Sequence, residues 1–101
     1  MLVRALSGGG GGGATPTFMI QQADPFVNNK LEVECTAAFW DIGYISGVNG
    51  HWCQGYLENG QVTMLINYNS YYSATYSNGK LTITAGSAVT SAYKTTNIMY
   101  I

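Results

Sequence analysis

The chain has 101 residues, of which only 9% are charged, and its formal net charge is −1. An average soluble domain carries about 25% charged residues. The four basic residues, Arg4, Lys30, Lys80 and Lys94, are scattered along the sequence, which argues against a phosphate-binding surface and so against nucleic-acid binding. No apolar run approaches the roughly 18 residues of a membrane span.

Tyr, Asn, Thr, Ser and Gly take the place of the missing charge, with eight Tyr and two Trp among them. This mixture is typical of binding surfaces, since Tyr provides rigid contact area and Ser, Gly and Asn provide adaptable hydrogen bonds. Tyr and Thr are also good strand formers, so both interpretations stay open. A domain of this size has a marginal core, and low charge gives little protection against self-association. We therefore expect an assembly subunit.

Residues 1–16 are predicted to be an N-terminal segment and linker, and residues 17–101 the folded domain. Residues 8–13 are an unbroken run of six glycines, which loses too much entropy to order by itself. A phosphate-binding loop is excluded because no Gly-Lys-Ser/Thr follows the glycines. The seven residues before them are too few for the apolar core of a signal peptide, so we expect no secretion by that route.

From residue 17 onward, Asn-Gly pairs and other turn residues break the sequence at short intervals, and no window has helical periodicity. The intervening runs predict an all-β chain, a small antiparallel β-sandwich or jelly-roll-like domain. The predicted strands cover residues 17–22, 31–39, 40–45, 51–58, 61–67, 71–77, 80–85, 89–93 and 97–101.

Two hairpins are predicted at Asn59-Gly60 and Asn78-Gly79, because Asn-Gly favours the two-residue turn in which both residues have positive φ. In the first hairpin Gly55 pairs with Met64, and Cys53 with Ile66. Strand alternation then separates the side chains of both hairpins into two faces. The side chains predicted to be buried are Leu57, Val62, Met64, Ile66, Leu81 and Ile83, and those predicted to be more exposed are Thr63, Thr75, Thr82 and Thr84.

Two further runs carry apolar rows. The first row is predicted to face inward and consists of Leu31, Val33, Cys35, Ala37 and Phe39. The last strand is apolar on both faces, with Ile98 and Tyr100 on one side and Met99 and Ile101 on the other. One small sandwich cannot bury both faces of this strand. These four residues are therefore predicted to form the interface of a closed homo-oligomer.

No catalytic site is predicted. His51 is the one histidine, and its candidate partners Asp41 and Glu58 belong to no recognisable motif. The carboxylates of Glu32 and Glu34 would share one strand face, which is more typical of a solvated surface than of paired catalytic acids. We therefore expect a protein that is not an enzyme and needs no cofactor.

Cys35, His51 and Cys53 could supply three zinc ligands, but a structural site needs four and usually close Cys pairs. No metal site is predicted. Both cysteines fall on faces predicted to be inward, which favours buried free thiols. A disulfide between them would stabilise the chain by roughly 3 kcal/mol in the chain-entropy model, and this alternative stays open at the level of sequence.

A cluster of aromatic and polar residues between positions 40 and 56 is the candidate ligand site. A ligand site needs a few placed polar groups beside apolar surface, and sugars present both C–H faces and hydroxyls. The competing interpretation is that the two tryptophans are core or interface residues, since large aromatics bury most of their area. The candidate ligand-binding residues are Trp40, Asp41, Tyr44, Asn49, His51, Trp52, Gln54 and Tyr56.

The overall layout resembles bacteriophage tail-fibre and tail-tip proteins in style, although no family motif matches. The resembling features are the glycine run at residues 8–13, the Tyr/Asn/Ser-rich stretch at 67–72 and the apolar ending at 97–101. The resemblance implies a virion component in tail assembly or host-receptor binding, assembled in the host cytoplasm. Implied partners are further copies in a homo-oligomer such as a trimer, other virion proteins and a cell-surface glycan. The alternative is a free-standing carbohydrate-binding, lectin-like domain.

Overall fold

The computed structural model describes residues 17–43 and 51–101. The linker predicted for residues 1–16 lies outside the described residues. The eight strands, in chain order, are β1 (Phe18–Gln22), β2 (Lys30–Glu34), β3 (Ala38–Ile42), β4 (Cys53–Glu58), β5 (Gln61–Asn67), β6 (Tyr72–Ser77), β7 (Lys80–Ala85) and β8 (Thr96–Tyr100). Short 3-10 helices cover Tyr68–Ser70 and Ser91–Tyr93. No helix in the described part of the chain is long and apolar enough to cross a membrane.

The strands form two packed antiparallel sheets. Sheet A has five strands in the order β1-β8-β3-β4-β5, and sheet B has three in the order β2-β7-β6. The predicted small all-β sandwich is therefore confirmed. The chain passes between the sheets four times, at β1–β2, β2–β3, β5–β6 and β7–β8, so most of the pairing depends on contacts that are distant in sequence.

Both Asn-Gly hairpins form as predicted. Asn59 and Asn78 have φ of 53° each and the glycines after them 76° each, the left-handed values that this turn requires. With Asn78-Gly79 as the turn, alternation pairs Tyr76 with Leu81, Ala74 with Ile83 and Tyr72 with Ala85, and all three pairs are observed. Leu81 and Ile83 are buried on the inner face.

The first hairpin departs from the prediction at one point. The register of β4 and β5 shifts between Gln54 and Gly55, so that Cys53 lies opposite Asn67 instead of Ile66. A bulge adds one residue to a strand and reverses the alternation beyond it. Ile66 is therefore 37% exposed, and the prediction that it is buried is wrong. Leu57 is buried, whereas Val62 and Met64 are only half-buried; Thr75 is exposed, and Thr63, Thr82 and Thr84 are half-buried.

Two of the predicted strands were also wrong. The run at 31–39 is divided, because the chain leaves sheet B after Glu34 and enters sheet A at Ala38. The crossing reverses the alternation: Leu31, Val33 and Cys35 are buried as predicted, but Ala37 and Phe39 are replaced in the core by Ala38, Trp40 and Ile42. The run at 89–93 ends in a 3-10 helix and forms no strand.

Trp40 lies at the centre of the core and has no exposed surface. Its indole packs on the bare backbone of Gly55, the residue opposite it on β4. A Cβ added to Gly55 would lie 2.6 Å from Cζ2 of Trp40 and 2.6 Å from the carbonyl oxygen of Thr63. The glycine is therefore required for space, since any side chain there would displace either the ring or the β5 backbone.

Side-chain hydrogen bonds link strands of sheet B to the segments that cross between the sheets. The Tyr76 hydroxyl donates to the carbonyl of Cys35 at 2.8 Å, and the Tyr72 hydroxyl donates to the carbonyl of Tyr93 at 2.6 Å. The side chain of Asn67 bonds both the N–H and the carbonyl of Tyr72, which closes the connection from β5 to β6. These bonds satisfy polar groups at the crossings, where strand pairing ends.

We predict that Gly55→Ala destabilises the fold by about 3 kcal/mol, the upper part of the usual range for an overpacked core. Gly60→Ala is the matched control, because an added Cβ there meets nothing within 4 Å and only the φ of 76° opposes it. Gly60→Ala should lower the free energy of unfolding by about 1–2 kcal/mol. Urea unfolding measures both, and an equal or smaller loss in Gly55→Ala would contradict the packing of Trp40 on this glycine.

Candidate functional site

The structure separates the predicted ligand cluster into different environments. Trp40 is wholly buried and is removed from the site, because alternation along β3 turns it inward and Asp41 outward. Tyr44 and Asn49 lie outside the described residues. The other five predicted residues divide between the outer face of sheet A and an aromatic cluster around Trp52.

Two cross-strand rows cover the outer face of sheet A, the face directed away from sheet B. Strand pairing places their members side by side on neighbouring strands. The apolar row consists of Met19, Met99, Phe39, Tyr56 and Thr63. The polar row consists of Gln21, Asn97, Asp41 and Gln54, and it ends on β5 at the exposed Ile66. Adjacent strands are about 4.8 Å apart, so rings, thioethers, amides and a carboxylate form one continuous surface.

Asp41 and His51 form the one ion-pair contact in the polar row. Nδ1 of His51 lies 2.8 Å from Oδ1 of Asp41, with side-chain exposures of 52% and 23%. A carboxylate only accepts hydrogen bonds, so the imidazole donates from Nδ1. The pair orients the carboxylate beside Gln54 and Asn97, its neighbours in the strand register. The polar row therefore offers both acceptors and amide donors.

Trp52 belongs to a different surface, the aromatic cluster formed by Trp52, Tyr68, Tyr71 and Tyr93. Its ring stacks on Tyr93 at a centroid distance of 3.8 Å and lies 4.5 Å from Tyr68. Gly43 makes room for it, because an added Cβ would lie 2.6 Å from Cβ of Trp52. The three tyrosines come from the segments that join the sheets. Trp52 is thus occupied by stacking within the chain, and Tyr68, at 48% exposure, is the open ring of the cluster.

Sequence reasoning missed most of the apolar row. Alternation along one continuous strand predicts an inward Phe39, but the crossing between β2 and β3 reverses the alternation and turns it outward. Met19 and Met99 face each other across β1 and β8, which are at opposite ends of the domain sequence. Alternation within the last strand did separate Met99 from Ile98, but no local pattern shows which strands become neighbours.

The described residues contain no group of three or more His, Cys, Asp or Glu side chains that could hold a metal ion. Cys35 and Cys53 are both buried and free, so the disulfide alternative does not hold in this structure. Burial raises the pKa of Cys35 above its ordinary value and that of Cys53 to about 12. For Cys53 the nearby Asp41 charge adds to this effect. A thiol with so high a pKa is not a nucleophile at neutral pH.

The indole of Trp40 acts in the opposite direction on the Cys53 thiol. It lowers the pKa through a contact with the sulfur, but Nε1 of Trp40 has no hydrogen-bond partner of good geometry among the described residues. We therefore regard this contact as weak, since sulfur is a poor acceptor. Burial dominates, and the neutral thiol is the form that the core accepts.

The raised pKa of Cys53 predicts a loss of stability at alkaline pH. The unfolded chain loses this proton near pH 9 and the folded chain only near pH 12, so the free energy of unfolding should fall as the pH rises through that window. The free energy of unfolding of Cys53→Ala, measured with urea between pH 8 and pH 11, should fall less steeply with pH than that of the wild type. Val33→Ala, a core truncation without a titrating group, should keep the wild-type slope. Parallel profiles for all three proteins would contradict the prediction.

No protein-family model matches the chain, and no curated protein or solved structure is significantly similar to it. The outer face of sheet A and the aromatic cluster around Trp52 are therefore the features that bear on function.

Proposed function

We propose that the chain is a non-enzymatic bacteriophage virion module that acts in tail or fibre assembly or in binding the host receptor. The observation that carries the proposal is the outer face of sheet A, where an apolar row lies beside a polar row on a surface of very low charge. Such a face suits contact with a large, neutral partner. The style of the sequence supports the virion context, since a glycine run precedes a Tyr/Asn/Thr-rich β domain.

The receptor-binding form of the proposal uses sugar chemistry. Phe39 and Tyr56 are direct neighbours on β3 and β4, and both are half-buried, so each ring is supported by the sheet and open on one side. Asp41 and Gln54 form the adjacent pair in the polar row. A saccharide placed over the two rings would bring its hydroxyls to the carboxylate and amide, the combination of apolar surface and placed polar groups that ligand sites use.

A binding role is favoured over catalysis by the setting of the Asp41–His51 pair. The imidazole is 52% exposed on an open sheet face, where water screens the charges and competes for the hydrogen bonds. Effective acid–base catalysis depends on a site that positions the reacting groups and limits water. The same pair is well suited to holding a carboxylate in one orientation for a hydroxyl-rich ligand.

A free-standing carbohydrate-binding domain is the second candidate function, and the same two rows favour it. The two proposals share the ligand chemistry and differ in where the protein acts. Ligand binding therefore tests the site, and the location of the protein tests the virion context.

We predict that a glycan array will show binding to neutral saccharides, and that Phe39→Ala and Tyr56→Ala will each weaken it tenfold or more, about 1.4 kcal/mol. Tyr68→Ala is the matched control, because this tyrosine is exposed in the aromatic cluster around Trp52 and not in the apolar row. Loss of binding in Tyr68→Ala alone would move the site to that cluster. Absence of binding to any glycan would leave assembly as the proposed function.

The virion context predicts that the chain is present in phage particles produced by the genome that encodes it. Mass spectrometry of particles purified by density gradient should detect it at a constant ratio to the major tail or capsid proteins. The matched sample is the soluble fraction of the same lysate. Detection in that fraction and not in the particles would favour the free-standing binding domain.

A further inference from the structure

β1 is an edge strand of sheet A, and among the described residues it pairs only with β8. One row of its backbone N–H and carbonyl groups therefore points away from the sheet. Four of its five residues are exposed, including Phe18 at 51% and Met19 at 59%. Within residues 17–43 and 51–101, the strand thus combines backbone groups that pair with no second strand and exposed apolar side chains.

The unequal size of the sheets accounts for this exposure. Three strands of sheet B cannot cover all five strands of sheet A, and in β1 only Ile20 packs against the core. Phe18 shows the effect most clearly. Its register partner Tyr100 lies opposite the buried Ala38, which places Phe18 on the inner face, yet half of its surface is exposed. Its ring contacts Tyr100 at a centroid distance of 5.5 Å.

The other sheet edges are protected in ways that β1 is not. β2 carries Lys30, Glu32 and Glu34, and charges on an edge discourage pairing with another chain. β5, like β1, lacks charge and exposes Leu65 and Ile66, but a bulge interrupts its pairing with β4, and bulges discourage pairing at an edge. The exposed residues of β6 are all Ser or Thr, at Ser73, Thr75 and Ser77. β1 contains no charged residue in Phe18–Gln22.

We propose that β1 pairs antiparallel with β1 of a second copy of this chain, around a two-fold axis at Ile20, to form a continuous ten-stranded sheet. The partner must supply an extended, uncharged strand whose two faces match those of sheet A. A second β1 does so by symmetry, and the pairing places no like charges opposite each other.

The two-fold geometry restricts the register. Residues that face each other across a ladder must point to the same side of the sheet, so a symmetric antiparallel pair has to be centred on a residue and not between two residues. Centring on Ile20 uses the whole of the strand. Met19 then lies opposite Gln21 of the second copy, and Phe18 lies opposite Gln22.

This interface keeps the predicted homo-oligomer but changes the strand that makes it. The sequence predicted that Ile98, Met99, Tyr100 and Ile101 contact a neighbouring subunit. In the structure both edges of β8 are already occupied, by β1 and β3, and Ile98 is buried in the chain's own core. On that side of sheet A, β1 is the edge strand and can pair with another chain. The pairing does not depend on the proposed ligand, but it would bring two outer faces into one plane and favour multivalent binding.

The test uses charges placed at the two outward positions of β1. Met19→Lys combined with Gln21→Lys puts lysines opposite lysines at both symmetric contacts and should give a monomer of 10.9 kDa. Met19→Lys combined with Gln21→Glu puts a lysine opposite a glutamate at the same two contacts and should keep the dimer. The wild type should be dimeric. Sedimentation velocity at low and at high salt measures the oligomeric state of all three proteins, and circular dichroism verifies that each is folded.

Gln61→Lys combined with Thr63→Lys is the matched control. It adds the same charge to the outer face of β5, the opposite edge of sheet A, and should remain dimeric. A monomeric control would mean that the copies join β1 to β5, and would overturn the two-fold pairing. The two-fold pairing would also be overturned by a wild type that is monomeric at high concentration, by a dimeric Lys/Lys variant or by a monomeric Lys/Glu variant.

If the Lys/Lys variant does not fold, a cysteine variant decides the question. Met19→Cys combined with Gln21→Cys places two thiol pairs across the two-fold interface, while Cys35 and Cys53 stay buried. Mild oxidation should then give a covalent dimer on a non-reducing gel. A chain that stays monomeric after oxidation would overturn the proposal.

Discussion

The packing of the Trp40 indole on Gly55 is the contact on which the rest of the architecture depends. It places the largest core side chain between β3 and the facing sheet, and it requires a bare backbone on β4 at that position. It also determines the side to which every other residue of β3 points. Because Trp40 is inward, Phe39 and Asp41 must be outward. The composition of the candidate binding face is thus a direct consequence of how the core is filled.

The two rows on the outer face arise from strand pairing between distant parts of the chain. β3 lies between β4 and β8, and β8 lies between β3 and β1, so a single row collects side chains from both ends of the domain. The low charge of these rows has a physical cost, because it leaves the outer face without the repulsion that keeps most domains apart. Binding and self-association are therefore linked properties of the same sheet.

The unequal size of the two sheets explains why apolar surface stays exposed at one edge of sheet A. A five-stranded sheet opposite a three-stranded one must leave apolar inner surface uncovered, and Phe18 is where this occurs. Completion by a second copy would resolve the open backbone edge of β1. It would also agree with the expectation, based on size and charge, that the domain is more stable in an assembly than alone.

Local sequence patterns were enough to predict the all-β class, both Asn-Gly hairpins and most of the buried residues of β2, β4 and β7, because turn chemistry and alternation operate over a few residues. It also identified Asp41, His51, Gln54 and Tyr56 as surface polar and aromatic groups. The folded chain was needed to show that Trp40 lies in the core, that a bulge turns Ile66 outward, and that Met99 lies beside Met19 and Phe39. Those outcomes depend on where the chain crosses between sheets and on which distant strands pair, and long-range contacts of that kind leave no periodic signal in the sequence.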